Sequence, residues 1–453
     1  MIDAIKKIFS INDLRQKVVY TLLLLLVCRI GSFIPVPGIN QEAALKVFKA
    51  ATGGSQNLFQ LMDLFSGGAF AQLTMVALGI MPYISASIIM QLLVAIIPSF
   101  QRETRENPEA AKRKITKYTR LATMILALGH SFAIAKYALN MNMSHPGVIA
   151  SEILNITFNG TPLLFYITIM VTMSTGVVFL MWIGEQITEK GIGNGISLII
   201  TTGILAALPG TIGSIIKQLN LSAQDAGQLS FISLLILLSV FILIIVGTIL
   251  VIQGQRKIPV QYARRGATDS ACASHIPLKI NYAGVIPVIF ASSFLMFPAT
   301  IGQLVGKNSV FGKVSYYLSP GSWVYLTLYV LLILFFTYFW TASQFNPEQI
   351  ASDMKKNGAF IPGIRQGKPT QDYLENSMNK ITLIGGVFLA LIAIFPTIVS
   401  KLLGVDARIA HFFGGTSLLI LVGVILDTAK QVESHLLTQR YEGFMKKVKI
   451  RGR

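Results

Sequence analysis

Phe231-Ile-Ser-Leu-Leu-Ile-Leu-Leu-Ser-Val-Phe-Ile-Leu-Ile-Ile-Val-Gly-Thr-Ile-Leu-Val-Ile252 is a run of 22 residues without one charged side chain. A helix rises about 1.5 Å per residue, so about 20 apolar residues cross the roughly 30 Å hydrocarbon core of a bilayer. The run is long enough and apolar enough to be a transmembrane helix. Runs of the same kind recur outward from it in both directions. They are expected at about 18–36, 73–97, 118–139, 163–183, 192–216, 282–301, 323–345, 381–403 and 410–429, which with 231–252 makes ten spans. The whole chain agrees. Its 453 residues are 53% hydrophobic and 13% charged, with a mean hydropathy of +0.63, whereas soluble domains carry roughly 25% charged residues. No stretch is long enough or polar enough to form a separate soluble domain.

Charge sets the expected sidedness. With the N-terminus inside, the segments on that side hold 29 Lys and Arg, those on the other side hold 8, and Arg29 lies within the first span. Basic residues are retained in cytoplasmic loops, so both termini are expected in the cytoplasm and the number of spans is expected to be even. The net charge of +18 follows from that retention and suits anionic lipid headgroups. Residues 1–27 resemble a signal peptide, with Lys6, Lys7, Arg15 and Lys17 before an apolar run. That run continues through Arg29 to Pro35 without a small-residue cleavage site, so it is read as a retained first helix. Cys28 and Cys272 offer no disulfide framework.

No motif points to catalysis: there is no HExxH, Walker loop or GxSxG. The histidines (His130, His145, His275, His411 and His435) are scattered without metal-ligand spacing. No cofactor and no enzyme activity are expected. Gly191-Ile-Gly-Asn-Gly195 is glycine-rich, but no strand precedes it, and it reads as a tight turn opening span five. Charges within spans point to ion or proton pathways. Here Arg29 is central in span one, while Glu185 and Asp427 lie near span ends. An ion-coupled secondary transporter is the alternative reading, and it requires a polar site at the midplane.

Three other regions stand out. Residues 39–73 carry Gly53, Gly54, Gly67 and Gly68, and Phe65-Ser-Gly-Gly-Ala-Phe-Ala71 is too short to span. It suits a re-entrant piece buried in protein or an ordinary surface loop. Spans two and seven, with Ala77-Leu-Gly-Ile-Met-Pro-Tyr-Ile-Ser-Ala-Ser87 and Asn281-Tyr-Ala-Gly-Val-Ile-Pro-Val-Ile-Phe-Ala-Ser-Ser293, mix small residues and isoleucines around a proline. Small residues permit close approach, serines can bond across the contact, and proline permits a bend. The pattern suits a seam that opens and equally suits static packing. Finally, loops 253–279 and 346–380 are long and charged, for topology and headgroup contact or for docking an acidic partner.

At these residues the chain resembles the SecY/Sec61-alpha family, the central channel subunits of the Sec protein translocase. The motifs are Arg29-Ile-Gly-Ser-Phe-Ile-Pro-Val-Pro-Gly38, Gly79-Ile-Met-Pro-Tyr-Ile-Ser-Ala-Ser87, Gly191-Ile-Gly-Asn-Gly-Ile-Ser197, Gly284-Val-Ile-Pro287, Gly358-Ala-Phe-Ile-Pro-Gly-Ile-Arg365 and Phe413-Gly-Gly-Thr-Ser-Leu-Leu-Ile420. They run nearly end to end, in order.

The resemblance implies an all-α membrane protein whose ten transmembrane helices form two inverted pseudo-symmetric halves around a central pore. Residues 1–217 would hold spans one to five, with a plug at about 58–72. Residues 218–453 would hold spans six to ten, the two loops and a cytoplasmic tail. The implied pore ring is Ile80, Ile84, Ile200, Ile289 and Ile420, a narrow apolar collar that dewets and blocks ions. The implied plug includes Phe65, Ser66, Gly67, Gly68, Ala69 and Phe70, a short helix with a mobile glycine pair. The implied lateral gate sets Ser87, Ile88 and Gln91 against Ser292, Ser293 and Phe297. Docking of the motor or ribosome would fall to Arg256, Lys257, Arg264, Arg265, Lys355, Lys356 and Arg365. The implied partners are SecE, SecG, the SecA ATPase, the translating ribosome, signal peptides and nascent chains, and anionic membrane lipids, extending to SecDF and YidC. The implied location is the bacterial cytoplasmic membrane.

Overall fold

The computed structural model describes residues 11–52, 58–154, 162–218, 231–262, 274–305, 312, 317–318, 322–403 and 415–447. The long helices follow the expected spans. They are α1 (Asn12–Gly31), α4 (Met81–Ile96), α6 (Pro108–Ser144), α7 (Leu163–Lys190), α8 (Gly195–Gln218), α9 (Phe231–Gln253), α10 (Ile286–Val305), α11 (Trp323–Gln344), α13 (Lys368–Leu403) and α14 (Gly415–Lys447). Shorter helices α2 (Gln41–Thr52) and α3 (Leu58–Ser66) follow α1, while α5 (Pro98–Glu106) follows α4 and α12 (Pro347–Lys356) follows α11. Among the described residues, six helical stretches are long and apolar enough to cross a membrane. The pair α4–α5, bent by 93°, makes a seventh.

Packing is helix on helix. α6 lies between α4 and α7, α11 between α10 and α13, and α9 against α13 and α14. Large apolar side chains cover the outside, among them Ile125, Leu243, Leu250 and Leu391, each more than half exposed. A soluble protein does not present so much contiguous apolar surface. A lipid-facing one does, because hydrocarbon offers such side chains the environment they lack in water.

Prolines start helices here more often than they bend them. Pro82, Pro98, Pro108 and Pro347 each sit in the first turn of α4, α5, α6 and α12, where a missing N–H costs nothing. Span two is therefore shorter than the apolar run predicts. The helix begins at Met81, and Leu73–Ile80 runs as turns, with Leu73 at φ +48° and Gly79 at φ +55°. Pro82 opens this helix and does not bend it; in α10 the interior proline is Pro298. The irregular segment is satisfied by protein. The Met75 N–H donates to the Ile34 carbonyl at 2.9 Å, Thr74 bridges to Pro35, and a Cβ on Gly176 of α7 would overlap the Met75 carbonyl.

The two charged loops are not independent. Strands β1 (Gln255–Tyr262) and β2 (Ser274–Lys279) come from the first, and β3 (Ala359–Phe360) comes from the second. They form one antiparallel sheet in the order β2-β1-β3, with Gln261 opposite Phe360 and Tyr262 opposite Ala359. Under the sheet lies a separate apolar core of Ile258, Val260, Leu278, Phe345, Met354 and Leu374, with Ala359, Ile361, Met378 and Ile381. Composition had given no sign of a packed unit outside the spans. It exists because two short segments, more than 60 residues apart, pool their few apolar residues.

Candidate functional site

The five isoleucines expected to form a ring come from four helices. Ile84 is on α4 with Ile80 just before its first turn, Ile200 is on α8, Ile289 on α10 and Ile420 on α14. All five are buried, at 4%, 5%, 3%, 7% and 0% exposure in the order Ile80, Ile84, Ile200, Ile289, Ile420. They belong to one apolar cluster, and α4 touches α10 while α8 touches α14. Isoleucine in a helix has one strongly preferred χ1, so the four that sit on helices are stiff.

Helix α3 packs against α8 and α10, beside the isoleucines. Its limits differ from the expected plug. The helix occupies Leu58–Ser66, so Phe65 and Ser66 are its last turn and the glycine pair ends it. Gly67 at φ +67° and Gly68 at φ +89° make the left-handed turn that terminates a helix. The N–H of Gly68 donates to the Asp63 carbonyl at 2.9 Å, and the N–H of Ala71 donates to the Asp63 carboxylate at 2.8 Å. The chain then turns back into the protein, with Ala69 at 0% and Phe70 at 1% exposure. The glycines here set the turn that ends the helix.

Two features of α3 escaped the sequence. The first is an aromatic cap. Phe59 lies 4.4 Å from Tyr137 and 5.6 Å from Phe70, centroid to centroid, and Phe48 of α2 lies 6.0 Å from Phe70. Such rings attract beyond their simple burial. The second is Arg29, whose Nη1 donates to the Gly67 carbonyl at 2.8 Å. The arginine was visible as a charge within a span. Its acceptor is a backbone oxygen 38 residues away, which no residue type announces.

The expected gate residues lie on α4 and α10, two helices in contact. Ile88, Ser292 and Ser293 are buried, and Ser87 and Gln91 are half-buried; the side chain of Phe297 lies outside the described set. The expected bonds between serines across the seam are not formed. Ser292 Oγ donates to the Ile289 carbonyl of its own helix at 2.9 Å, and Gln91 Nε2 donates to Ser87 Oγ within α4 at 3.2 Å. A helical serine satisfies its hydroxyl on the preceding turn when it can. Gln91 Oε1 and Ser293 Oγ are buried without a partner.

The glycine-rich turn is a structural junction. The Ile192 N–H donates to Thr21 Oγ1 of α1 at 3.0 Å, and the Gly193 N–H donates to Gln431 Oε1 of α14 at 2.9 Å. The Gly195 N–H donates to Thr188 Oγ1 at 2.9 Å. These donors serve the protein, as a turn requires and a phosphate site does not.

Among the expected docking residues, Arg256, Lys257, Lys355, Lys356 and Arg365 are exposed on the shared sheet unit; Arg264 and Arg265 lie outside the described residues, as does Cys272. Lys356 lies 3.9 Å from Asp353, a solvated pair of little energetic weight. Among the described residues no group of His, Cys, Asp and Glu is arranged to hold a metal.

Comparison with known proteins follows the same outline. The family described as SecY matches residues 74–429. The chain is 58% identical to the protein translocase subunit SecY of Chlamydia trachomatis, over 99% of each chain. It is 41% identical to that of Escherichia coli, over 98% of this chain and 96% of that one. A solved structure described as a protein conducting channel superposes with a TM-score of 0.63 at 19% identity, covering 92% of this chain and 91% of that one. Sec61 in the canine ribosome–channel complex superposes with a TM-score of 0.59 at 18% identity, over 92% and 91%.

Proposed function

The chain belongs to the SecY family, whose members are non-enzymatic channel subunits of a protein translocase in the membrane, and on that premise we propose how its own residues conduct a polypeptide. The ten long helices are ten spans in two inverted halves, residues 1–217 and 218–453. Unfolded secretory chains pass between the halves. Ile80, Ile84, Ile200, Ile289 and Ile420 form the collar that seals the closed pore. Helix α3 and the turn after it, through Phe70, form the plug. The seam between α4 and α10 is the lateral gate, with Ser87, Ile88 and Gln91 facing Ser292, Ser293 and Phe297. Through it signal sequences meet lipid and membrane segments leave.

One observation carries this reading: five isoleucines from four helices lie buried in a single apolar cluster with α3 packed beside it. An apolar constriction excludes ions by dewetting, and it holds no polar group on which a sliding chain would stick. The seam adds support. Gln91 and Ser292 bond within their own helices, so among the described residues parting the seam breaks neither bond. Gln91 Oε1 and Ser293 Oγ gain partners when water or a peptide backbone enters, which lowers the cost of opening.

The sheet unit is the dock for the machine that drives the chain, the SecA ATPase or a translating ribosome. Its exposed Arg256, Lys257, Lys355, Lys356 and Arg365 form a cationic surface, and the sheet fixes their mutual position. SecE and SecG complete the complex, and SecDF and YidC act beside it. The 29-to-8 distribution of Lys and Arg supports cytoplasmic termini in a bacterial cytoplasmic membrane.

Crosslinking tests the pore. Cysteines replace Ile84 and Ile289, and a secretory chain is stalled in transit. Crosslinks from both positions are expected, and contact with neither removes the assignment.

A further inference from the structure

An arginine in a membrane span is costly unless its charge finds partners. Arg29 is half-buried in the last turn of α1, where its guanidinium lies 5.3 Å over the Phe33 ring; its other partners are in α3 and the turn that ends it. Its Nη1 donates to the Gly67 carbonyl at 2.8 Å. Asp63, which ties the turn by accepting from Ala71 N–H, lies within electrostatic reach of the guanidinium. The charge thus stands at two helix C-termini at once, its own and that of α3, where a cation is favoured. The fit is close. A Cβ on Gly67 would stand 2.7 Å from Arg29 Nη1 and 2.9 Å from the Gly203 Cα of α8, and a Cβ on Gly203 would stand 2.7 Å from the Phe65 carbonyl. Beside this junction is a cavity of about 40 Å³ lined by Arg29, Ser32, Ser66 and Gly203, among others. It has room for a few waters and no more.

We propose that Arg29 is a specificity-determining residue: a latch that holds the C-terminal end of α3 against α1 and α8, and so sets how strong a signal must be to open the channel. When α3 leaves, the guanidinium loses its backbone acceptor and must be solvated instead. A narrow, dry pore offers no solvent, and a hydrated one does. A signal that wedges the gate only slightly therefore leaves the latch unfavourable to release, while one that opens it far enough to admit water makes release cheap. Selectivity then comes from coupling plug release to pore hydration through one charged hydrogen bond. This rests on reading α3 as the plug.

The test uses the chain in its native membrane complex, with ion leak and export of a defective-signal substrate as readouts. Export of an intact-signal substrate and the amount of complex in the membrane serve as controls. Three variants are compared with wild type: Arg29→Gln, Gly67→Ala, and a deletion of residues 58–68. Arg29→Gln is expected to raise both readouts roughly tenfold, as loss of a charged hydrogen bond implies. Gly67→Ala, which pushes the turn off an intact Arg29, is expected to do the same, and it replaces Arg29→Gln if that variant fails to accumulate. A leaking deletion beside silent Arg29→Gln and Gly67→Ala would overturn the latch and leave the plug. A silent deletion beside silent point variants would overturn both.

Discussion

The proposed collar with its seam lies within the large apolar cluster of the helices, the sheet unit has a small core of its own, and the two are assembled in opposite ways. The collar is made of side chains alone. Its isoleucines come from four helices, and Gln91 and Ser292 of the α4–α10 seam bond within their own helices. The sheet unit is tied by backbone as well as side chain. β1 pairs with β2 over six registered residue pairs and with β3 over two, above a core that includes Leu278 and Leu374, both at 0% exposure. Apolar contact is non-directional and reversible, so surfaces joined only by it can part and rejoin. Ladder hydrogen bonds fix distance and register. On the proposed reading, the molecule yields where a chain passes and stays rigid where a motor pushes.

Breaking the sheet unit alone gives the largest expected effect. Leu374→Ala leaves a cavity under the sheet worth about 2–5 kcal/mol. Tryptic cleavage between Arg256 and Lys279 should accelerate, and motor-driven export should fall, while ion leak stays at the wild-type level. A rise in leak would mean that the two regions are one cooperative unit. Next is the collar. Ile420→Asn buries an amide among isoleucines at a cost of roughly 1–3 kcal/mol to the closed state. Ion leak and export of defective-signal substrates should rise together, with the protease pattern of the sheet unchanged.

Arg256→Glu sharpens the comparison from the outside. It reverses a solvated charge without touching either core. Motor binding should weaken roughly tenfold at low salt, the difference shrinking as salt is raised, with the seal intact. The smallest effect is expected at the seam. Ser293→Ala removes a buried hydroxyl that has no partner, so it stabilises the closed state by about 1 kcal/mol or less. Export of weak-signal substrates should slow several-fold, and that of strong-signal substrates hardly at all. Faster export of the weak substrates would show that the hydroxyl is already satisfied when closed.

Different parts of this architecture were legible to different degrees. The long helices could be read because each needs only its own 20 or so apolar residues, and the lipid supplies the rest of the environment. Their ends could not be read from hydropathy. Leu73–Ile80 is as apolar as the helix that follows, and the start at Met81 is set by Pro82 and by the hydrogen bond between Met75 and Ile34. The isoleucines were named through motif resemblance, and the structure buries each of the five within the main apolar cluster. The gate serines could have bonded across the seam; Ser292 instead bonds the preceding turn of α10, Ser87 accepts from Gln91 within α4, and Ser293 Oγ has no partner.

Sequence by itself determined what is local and additive: which segments are apolar enough to span, which loops carry the basic residues, and where glycine must turn the chain. Tertiary structure decided what depends on distant meeting points. It joined two charged loops into one sheet, ended α3 at its glycine pair, and gave Arg29 its acceptor at Gly67. The reason is that apolar burial needs only residue type, whereas a hydrogen bond needs a particular atom within about 3 Å. Only the folded chain brings that atom there.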